Sequence, residues 1–300
     1  MSIRVGNAPV SWGVMEVEGW SGQKPYGIVL DEIQRAGYSG TELGPYGFFP
    51  IQPEKLTQEL HARNLEMVAA FVPIPLAEPA RHEAAFEEAM VVARLLADTR
   101  APVINLADVM SAKRMAVAGS VMETRDGLND AQWSEAANIL TRIARACQSL
   151  GLATVFHHHT GTFVETPAEV ARLCDLIDPA LFGLCLDTGH YCYGGGDPVE
   201  AVGTYGKRIR HLHLKDVNPT ILESVRRERV GYLDAVRRGV FCELGAGCVD
   251  FPAVIKGLRN AGFSGWAIVE QDVDTSQPGV QPIESAIRSR QYLQNVIGIY

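Results

Sequence analysis

The chain carries no CxxC pair among its six cysteines, no run of basic residues, and no unbroken apolar stretch long enough to span a bilayer. Each absence removes a class of function. Cys147, Cys174, Cys185, Cys192, Cys242 and Cys248 lack ligand-type spacing. They read as reduced, mostly buried thiols of a cytoplasmic protein, not as a zinc ribbon or a disulfide framework. Net charge is −8 and basic residues are not interleaved with aromatics, so a nucleic-acid partner is disfavoured. The start, Met-Ser-Ile-Arg-Val-Gly, runs straight into a strand pattern without a secretory h-region, and no membrane partner is expected. No glycine-rich turn follows that strand either. Asn7-Ala8-Pro9-Val10-Ser11-Trp12 stands where a doubly wound nucleotide-binding sheet would carry its fingerprint.

What the chain does have is a regular alternation of strand-like and helical patterns. Strand-like runs fall at 3–9, 40–44, 65–72, 102–106, 152–158, 181–187, 208–215 and 265–270, the third stopped by Pro73 and Pro75. Helical patterns separate them, among them 26–36, 80–97, 133–149 and 282–296. Eight strand–helix pairs predict an α/β fold, a single (β/α)8 TIM barrel over residues 1–300. Two stretches break the rhythm. Residues 107–131 lack clear periodicity, and 217–248 insert a charged helix with Arg226, Arg227, Glu228 and Arg229, read as a solvated face.

Barrels gather their chemistry at the C-terminal ends of the strands. Four apolar runs end there in metal-type ligands: Thr154-Val155-Phe156-His157, Leu184-Cys185-Leu186-Asp187, Arg210-His211-Leu212-His213 and Ala267-Ile268-Val269-Glu270. In the third, strand alternation puts His211, His213 and Lys215 on one face and Leu212 and Leu214 on the other. Asp187, His213 and Glu270 form a mixed oxygen and nitrogen donor set suited to Mn²⁺, Co²⁺, Fe²⁺ or Zn²⁺. The fifth strand supplies a fourth ligand, His157, with Glu165 as the alternative. His158 faces away from His157 and reads as a packed core histidine; His61 and His82 read as surface residues on helices.

Near a metal, Glu42 at the end of strand two is a candidate proton acceptor, His190 a candidate acid, and Lys215 a candidate stabiliser of a developing oxyanion. Asn7 and Trp12 at the end of strand one, with Trp12 as the floor of a sugar-sized pocket, and His159 on the face of His157 are candidate substrate contacts. Trp266 reads as core. Metal and base together predict proton abstraction beside a carbonyl of a small polyol or sugar. The carbanion then either takes its proton back, as in isomerisation or epimerisation, or expels a β-hydroxyl, as in dehydration. Residue types leave both open, and an assembly of identical subunits is compatible with the sequence.

Asp187-Thr188-Gly189-His190, His211-Leu212-His213-Leu214-Lys215-Asp216 and Gly265 to Glu270 together resemble the xylose-isomerase-like barrel superfamily of sugar isomerases, epimerases and dehydratases. A narrower resemblance, to the myo-inosose-2 dehydratases, is carried by His157-His158-His159-Thr160-Gly161-Thr162, by the insertion Val217 to Gly239 and by Gly247-Cys248-Val249-Asp250-Phe251. The likeness covers about 150–290. Ala8-Pro9-Val10-Ser11-Trp12 and Gly40-Thr41-Glu42-Leu43-Gly44 resemble the first two strand ends. The resemblance implies a dehydratase of inositol catabolism that acts on a keto-inositol such as scyllo-inosose, with Mn²⁺ or Co²⁺ as the expected metal. A sugar isomerase or epimerase is the alternative, and a barrel that only binds, or serves a catalytic partner, a remote one. The family's Asn-Asp-Asp-type loop after the tryptophan is replaced here by Gly13-Val14-Met15-Glu16.

Overall fold

The computed structural model describes residues 3–15, 24–277 and 279–300; Glu16 lies outside them. The strands are β1 (Ile3–Asn7), β2 (Gly40–Glu42), β3 (Glu66–Ala69), β4 (Phe71–Ile74), β5 (Val103–Asp108), β6 (Ala153–His157), β7 (Phe182–Asp187), β8 (Ile209–Leu214), β9 (Asp216–Val217), β10 (Phe241–Cys242) and β11 (Gly265–Val269). All but β9 and β10 form one parallel sheet in the order β3-β2-β1-β11-β8-β7-β6-β5-β4. Its two ends are the two halves of one chain segment: β3 pairs with β2, β4 pairs with β5, and Asn105 N–H donates to the Ala70 carbonyl between them at 3.0 Å. The sheet therefore closes into the expected barrel. Its third strand does not stop at Pro73, which pairs in register with Ala107. β4 has a strand neighbour on one side only, where a missing N–H is tolerated.

Alternation along the strands sorts the barrel interior into layers. Val68, Val103, Val155, Cys185, Trp266 and Ile268 form one buried apolar cluster. Two residues further along their strands stand Asn105, His157, Asp187 and Glu270. Apolar packing thus fills the bottom of the barrel and polar groups close its top. Trp266 is core, as read from the sequence, with the Arg4 guanidinium 4.0 Å over its ring.

Both long connections are structured. Residues 107–131 include helical turns at Ala112–Met115 and Glu123–Asp126, and the next helix starts earlier than its periodicity indicated, at Asp130, because Asn129 and Gln132 form a capping box. Arg114 ties this connection to the barrel. It is fully buried and donates to both oxygens of Glu169 at 2.7 and 2.9 Å, while Glu169 also completes the cap of the helix Pro167–Leu176. Residues 217–248 form two helices, Pro219–Glu228 and Tyr232–Arg237, beside the antiparallel ribbon of β9 and β10.

Three expectations need correction. Arg226 is half-buried and donates to the carbonyls of Cys192 and Tyr193 at 3.2 and 2.7 Å, whereas Arg227, Glu228 and Arg229 are exposed. His82 is buried at the start of its helix, its Nε2 against the Pro75 carbonyl at 3.2 Å, whereas His61 is exposed. Of the cysteines only Cys147 and Cys185 are buried; Cys174, Cys192 and Cys242 are half-buried and Cys248 is exposed. No helix among the described residues is long and apolar enough to cross a membrane.

Replacing Arg114 by Met leaves the Glu169 carboxylate buried without its cation, and such a loss costs about 3–5 kcal/mol. Chemical denaturation of Arg114→Met should show a loss of that size. A loss below about 1 kcal/mol would mean that the pair does not hold the connection.

Candidate active site

Asp187-Thr188-Gly189-His190 builds the site because each side chain has a separate task at the end of β7. Asp187 Oδ1 caps the short helix Thr188–Tyr193 by accepting the His190 N–H at 2.8 Å. That leaves Oδ2 facing His157 Nε2 at 3.4 Å, Lys215 Nζ at 3.5 Å and His213 Nδ1 at 3.7 Å. The Thr188 hydroxyl donates to the Lys215 carbonyl at 2.8 Å and accepts the Lys215 N–H at 3.0 Å, locking the end of β8. Gly189 is required by contact: a Cβ there would lie 2.6 Å from Lys215 Cγ. The Lys215 stem passes over that glycine, and its ammonium reaches Asp272 at 2.7 Å, His190 Nε2 at 3.0 Å and Glu270 at 3.2 Å.

Four buried carboxylates, Glu42, Asp187, Glu270 and Asp272, therefore share the top of the barrel with one ammonium. Burial alone would lower the Lys215 pKa, but Asp187, Asp272 and Glu270 outweigh it and raise it, so the ammonium stays charged. Burial opposes charge on His213 as well, yet the neighbouring carboxylates hold its pKa well above the ordinary value. The geometry is that of a cation site. His213 Nε2 lies 2.9 Å from Glu42 Oε1, and a carboxylate only accepts, so Nε2 carries hydrogen. Nδ1, buried without a hydrogen-bond partner, lies 3.2 Å from Glu270 and 3.7 Å from Asp187, where a bound ion would take the place of its proton. A histidine whose second nitrogen is held by a carboxylate is the usual arrangement of a metal ligand. Ligand atoms of His157, Asp187 and His213 lie within 4.8 Å of one another, as do those of Glu42, His213 and Glu270. The donor set fits a divalent ion of the Mn²⁺ to Zn²⁺ series.

Of the four expected ligands, His157, Asp187 and His213 form one group and Glu270 meets it at His213, whereas Glu165 does not join them. Its oxygens accept the Gly119 and Gly161 N–H groups at 2.6 and 2.7 Å. Glu42 and His159 line the pocket over the cluster, with Lys215 and Asp272. Glu42, expected as a proton acceptor, has Oε1 shared by His211 at 2.6 Å and His213 at 2.9 Å. That arrangement orients His213. His159 Nδ1 donates to the Thr160 carbonyl at 2.7 Å, which fixes the tautomer and leaves Nε2 as an acceptor. His158 is the neutral core residue expected: its Nε2 accepts the Asp187 N–H, and burial pushes its pKa down to about 3.

Three candidates stand elsewhere. His190 is fully buried behind Lys215 and stacks on His159 with ring centroids 3.8 Å apart. Burial, His159 and Lys215 lower its pKa well below the ordinary value, and its Nε2 lies 3.0 Å from the Lys215 ammonium. Trp12 is fully buried and its indole N–H donates to Glu32 at 2.6 Å, because the helical turn Pro9–Trp12 swings it into the core. Asn7 is also fully buried, its Oδ1 accepting the Ala8 N–H at 2.8 Å, with neighbouring Ala8 lining the pocket in its stead. The sequence reading missed Asp272 and Tyr232. The Tyr232 hydroxyl donates to Asp272 Oδ2 at 2.5 Å, so the second insertion helps to hold Lys215. Asp272 lies one alternation beyond Glu270, a pattern open to detection; Tyr232 left no local signal.

Two further carboxylates anchor the loops around this site. Asp108 accepts the Phe163 and Leu76 N–H groups at 2.7 and 3.1 Å. Burial pushes both Asp108 and Glu165 up to about 7. Unfolded carboxyls titrate near 4, so between about pH 4 and 7 the folded chain binds the extra protons. Stability from this source is complete at low pH and is lost as pH rises through about 7. Calorimetry from pH 5 to pH 8 should lower the Tm of the wild type more than that of Asp108→Asn/Glu165→Gln. Equal shifts would contradict the assignment.

Comparison with known proteins agrees with the geometry. Residues 30–296 match the family model described as xylose isomerase-like TIM barrel. The chain is 34% identical to an inosose dehydratase of Geobacillus kaustophilus (strain HTA426), over 98% of this chain and 94% of that one. It is also 34% identical to the rhizopine catabolism protein MocC of Rhizobium meliloti, over 92% and 84% of the two chains. A solved structure, that of the IOLI protein with a binding zinc atom, superposes with a TM-score of 0.71 at 14% identity and covers 99% of both chains. A barrel closed through a split third strand, with its ligand-type residues on the ends of β6, β7, β8 and just past β11, is accordingly an enzyme scaffold, and the chain belongs to the xylose isomerase-like TIM barrel family.

Proposed function

We propose that the protein removes water from a keto-inositol such as scyllo-inosose, giving a cyclohexane dione, with a divalent ion bound by His157, Asp187, His213 and Glu270. The observation that carries the reading is the excess of buried carboxylates over cations around a histidine nitrogen with no hydrogen-bond partner. The relatives named inosose dehydratase supply the substrate class, and the zinc-bound IOLI protein shares the fold. A bound ion would supply Lewis-acid polarisation of the ketone oxygen. Mn²⁺ or Co²⁺ suits the mixed imidazole and carboxylate donors.

The chain's own residues divide the remaining work. His159 Nε2, in the pocket wall with its tautomer fixed, takes the proton from the carbon beside the ketone. The Lys215 ammonium, beside the same pocket, stays charged and stabilises the oxyanion that develops, while His159 passes the proton it has taken to the departing β-hydroxyl, and the C–O bond breaks as the C=C bond forms. The resulting enol tautomerises to the dione. Asp272, Tyr232 and His190 hold Lys215 in position. Glu42 holds His213.

Three outcomes test this. Protein loaded with Mn²⁺ and given scyllo-inosose should form a product with new ultraviolet absorbance; a saturated epimer with solvent deuterium at the α-carbon would mean an epimerase instead. Asp187→Ala and Glu270→Ala should each lose bound metal by elemental analysis, and full occupancy in both would refute the ligand set. Lys215→Met should retain metal but lower kcat by about 10²-fold or more. Near-normal turnover would remove Lys215 from the chemistry.

A further inference from the structure

Two cysteines that the barrel-top chemistry does not use stand in contact. Cys192 Sγ lies 3.7 Å from Cys248 Sγ, although 56 positions separate them in the chain. Cys248 is exposed and Cys192 half-buried, so a small reagent reaches the pair from solvent. Both sit on backbone that is held. Cys192 belongs to the helix Thr188–Tyr193, and its carbonyl accepts from the Arg226 guanidinium at 3.2 Å. The Cys248 N–H donates to the Val217 carbonyl at 3.0 Å. On either side of it, the Gly247 and Val249 N–H groups donate to the Asp216 carboxylate at 3.0 and 3.1 Å. The contact is therefore set by the fold and is not a chance meeting of two free loops.

The two thiols are chemically unlike. Burial, and then the neighbouring Cys248, push the Cys192 thiol up to about 12. Cys192 thus keeps its hydrogen and is the donor toward Cys248. Arg226 and Arg227 line the same surface pocket as both cysteines and bring positive charge to it. An exposed sulfur beside cations, with a second thiol in contact, is the setting in which a cysteine reacts with peroxides and is then resolved. We propose that Cys248 and Cys192 form a peroxide-reactive pair that closes to a disulfide. The Cys248 thiolate attacks one oxygen of hydrogen peroxide. The O–O bond breaks, the sulfur becomes a sulfenic acid, and the other oxygen leaves as water with a proton from solvent. The Cys192 sulfur then attacks the Cys248 sulfur. The S–S bond forms as the S–O bond breaks, and the departing hydroxide leaves as water with the Cys192 proton. Two thiols lose two electrons and one peroxide becomes two waters. The bond ties the helix that carries His190 to the loop hung on Asp216, the residue after Lys215, and so fastens two segments around the end of β8. Closing so long a loop limits the unfolded chain, and the exposed Cys248 sulfur leaves the bond open to reduction by a small thiol.

The test is made on the full chain treated with equimolar hydrogen peroxide. The wild type should lose two of its six thiols and weigh less by two hydrogens, and dithiothreitol should restore both thiols. Peptide mapping should show Cys192 joined to Cys248, and the oxidised protein should melt a few degrees above the reduced one. Cys248→Ser should lose no thiol. Cys192→Ser should stop at a sulfenic acid on Cys248, which dimedone traps, and neither variant should gain Tm on oxidation. A Cys248 carried on to the sulfinic acid while Cys192 stays a thiol, a bond between Cys242 and Cys248, or no loss of thiol at all would overturn the proposal. A Cys192–Cys248 bond that leaves the Tm unchanged would overturn its role as a tie.

Discussion

Four carboxylates buried around Lys215 and His213 set the terms for the rest of this molecule. Two unit charges about 4 Å apart in a protein environment interact by about 4 kcal/mol, and each buried ion has lost several kcal/mol of hydration. Such a cluster persists only if its geometry is held from many directions. Lys215 is fixed at its backbone by Thr188, along its stem by Gly189 and at its tip by Asp272, Glu270 and His190. Lys215 and a protonated His213 together leave the four anions unbalanced. The remaining negative potential collects where His157, Asp187, His213 and Glu270 meet, and there a divalent ion fits.

The barrel and its insertions serve that balance. Parallel strands bring residues from distant parts of the chain together, so His157, Asp187 and His213 lie on successive strands β6, β7 and β8. The insertion after β8 contributes Tyr232, which shares Asp272 with Lys215. Asp216, the residue after Lys215, accepts the N–H groups of Val217, Gly245, Gly247 and Val249. That one carboxylate folds the Gly247-Cys248-Val249 loop against the end of the same strand. A fault in the insertion would therefore be felt at the ammonium.

Much of this was legible in the sequence because strands write their geometry with a period of two. His211, His213 and Lys215 announced one face, and the apolar runs ending in His157, Asp187 and Glu270 announced the other ligands. Where the period fails, so did the reading. Trp12 follows a proline-opened helical turn and enters the core; His190 sits on a helix, where alternation says nothing, and comes to rest behind Lys215. Glu42 was found by position, but its two imidazole partners, 169 and 171 residues away, left no trace in the local pattern. Tyr232, 40 residues from Asp272, belongs to the same class of long-range contact.

The central claim is that positive charge missing from the carboxylate cluster is supplied at His157, Asp187, His213 and Glu270. The most direct measurement is anomalous diffraction from crystals of the protein grown with Mn²⁺. The account predicts a single peak bonded to those four side chains, at roughly 2.0–2.2 Å from the His nitrogens and carboxylate oxygens, with Nδ1 of His213 as its ligand. A peak between His159, His190 and Asp272 with the first position vacant, or no peak at all in fully folded protein, would contradict it.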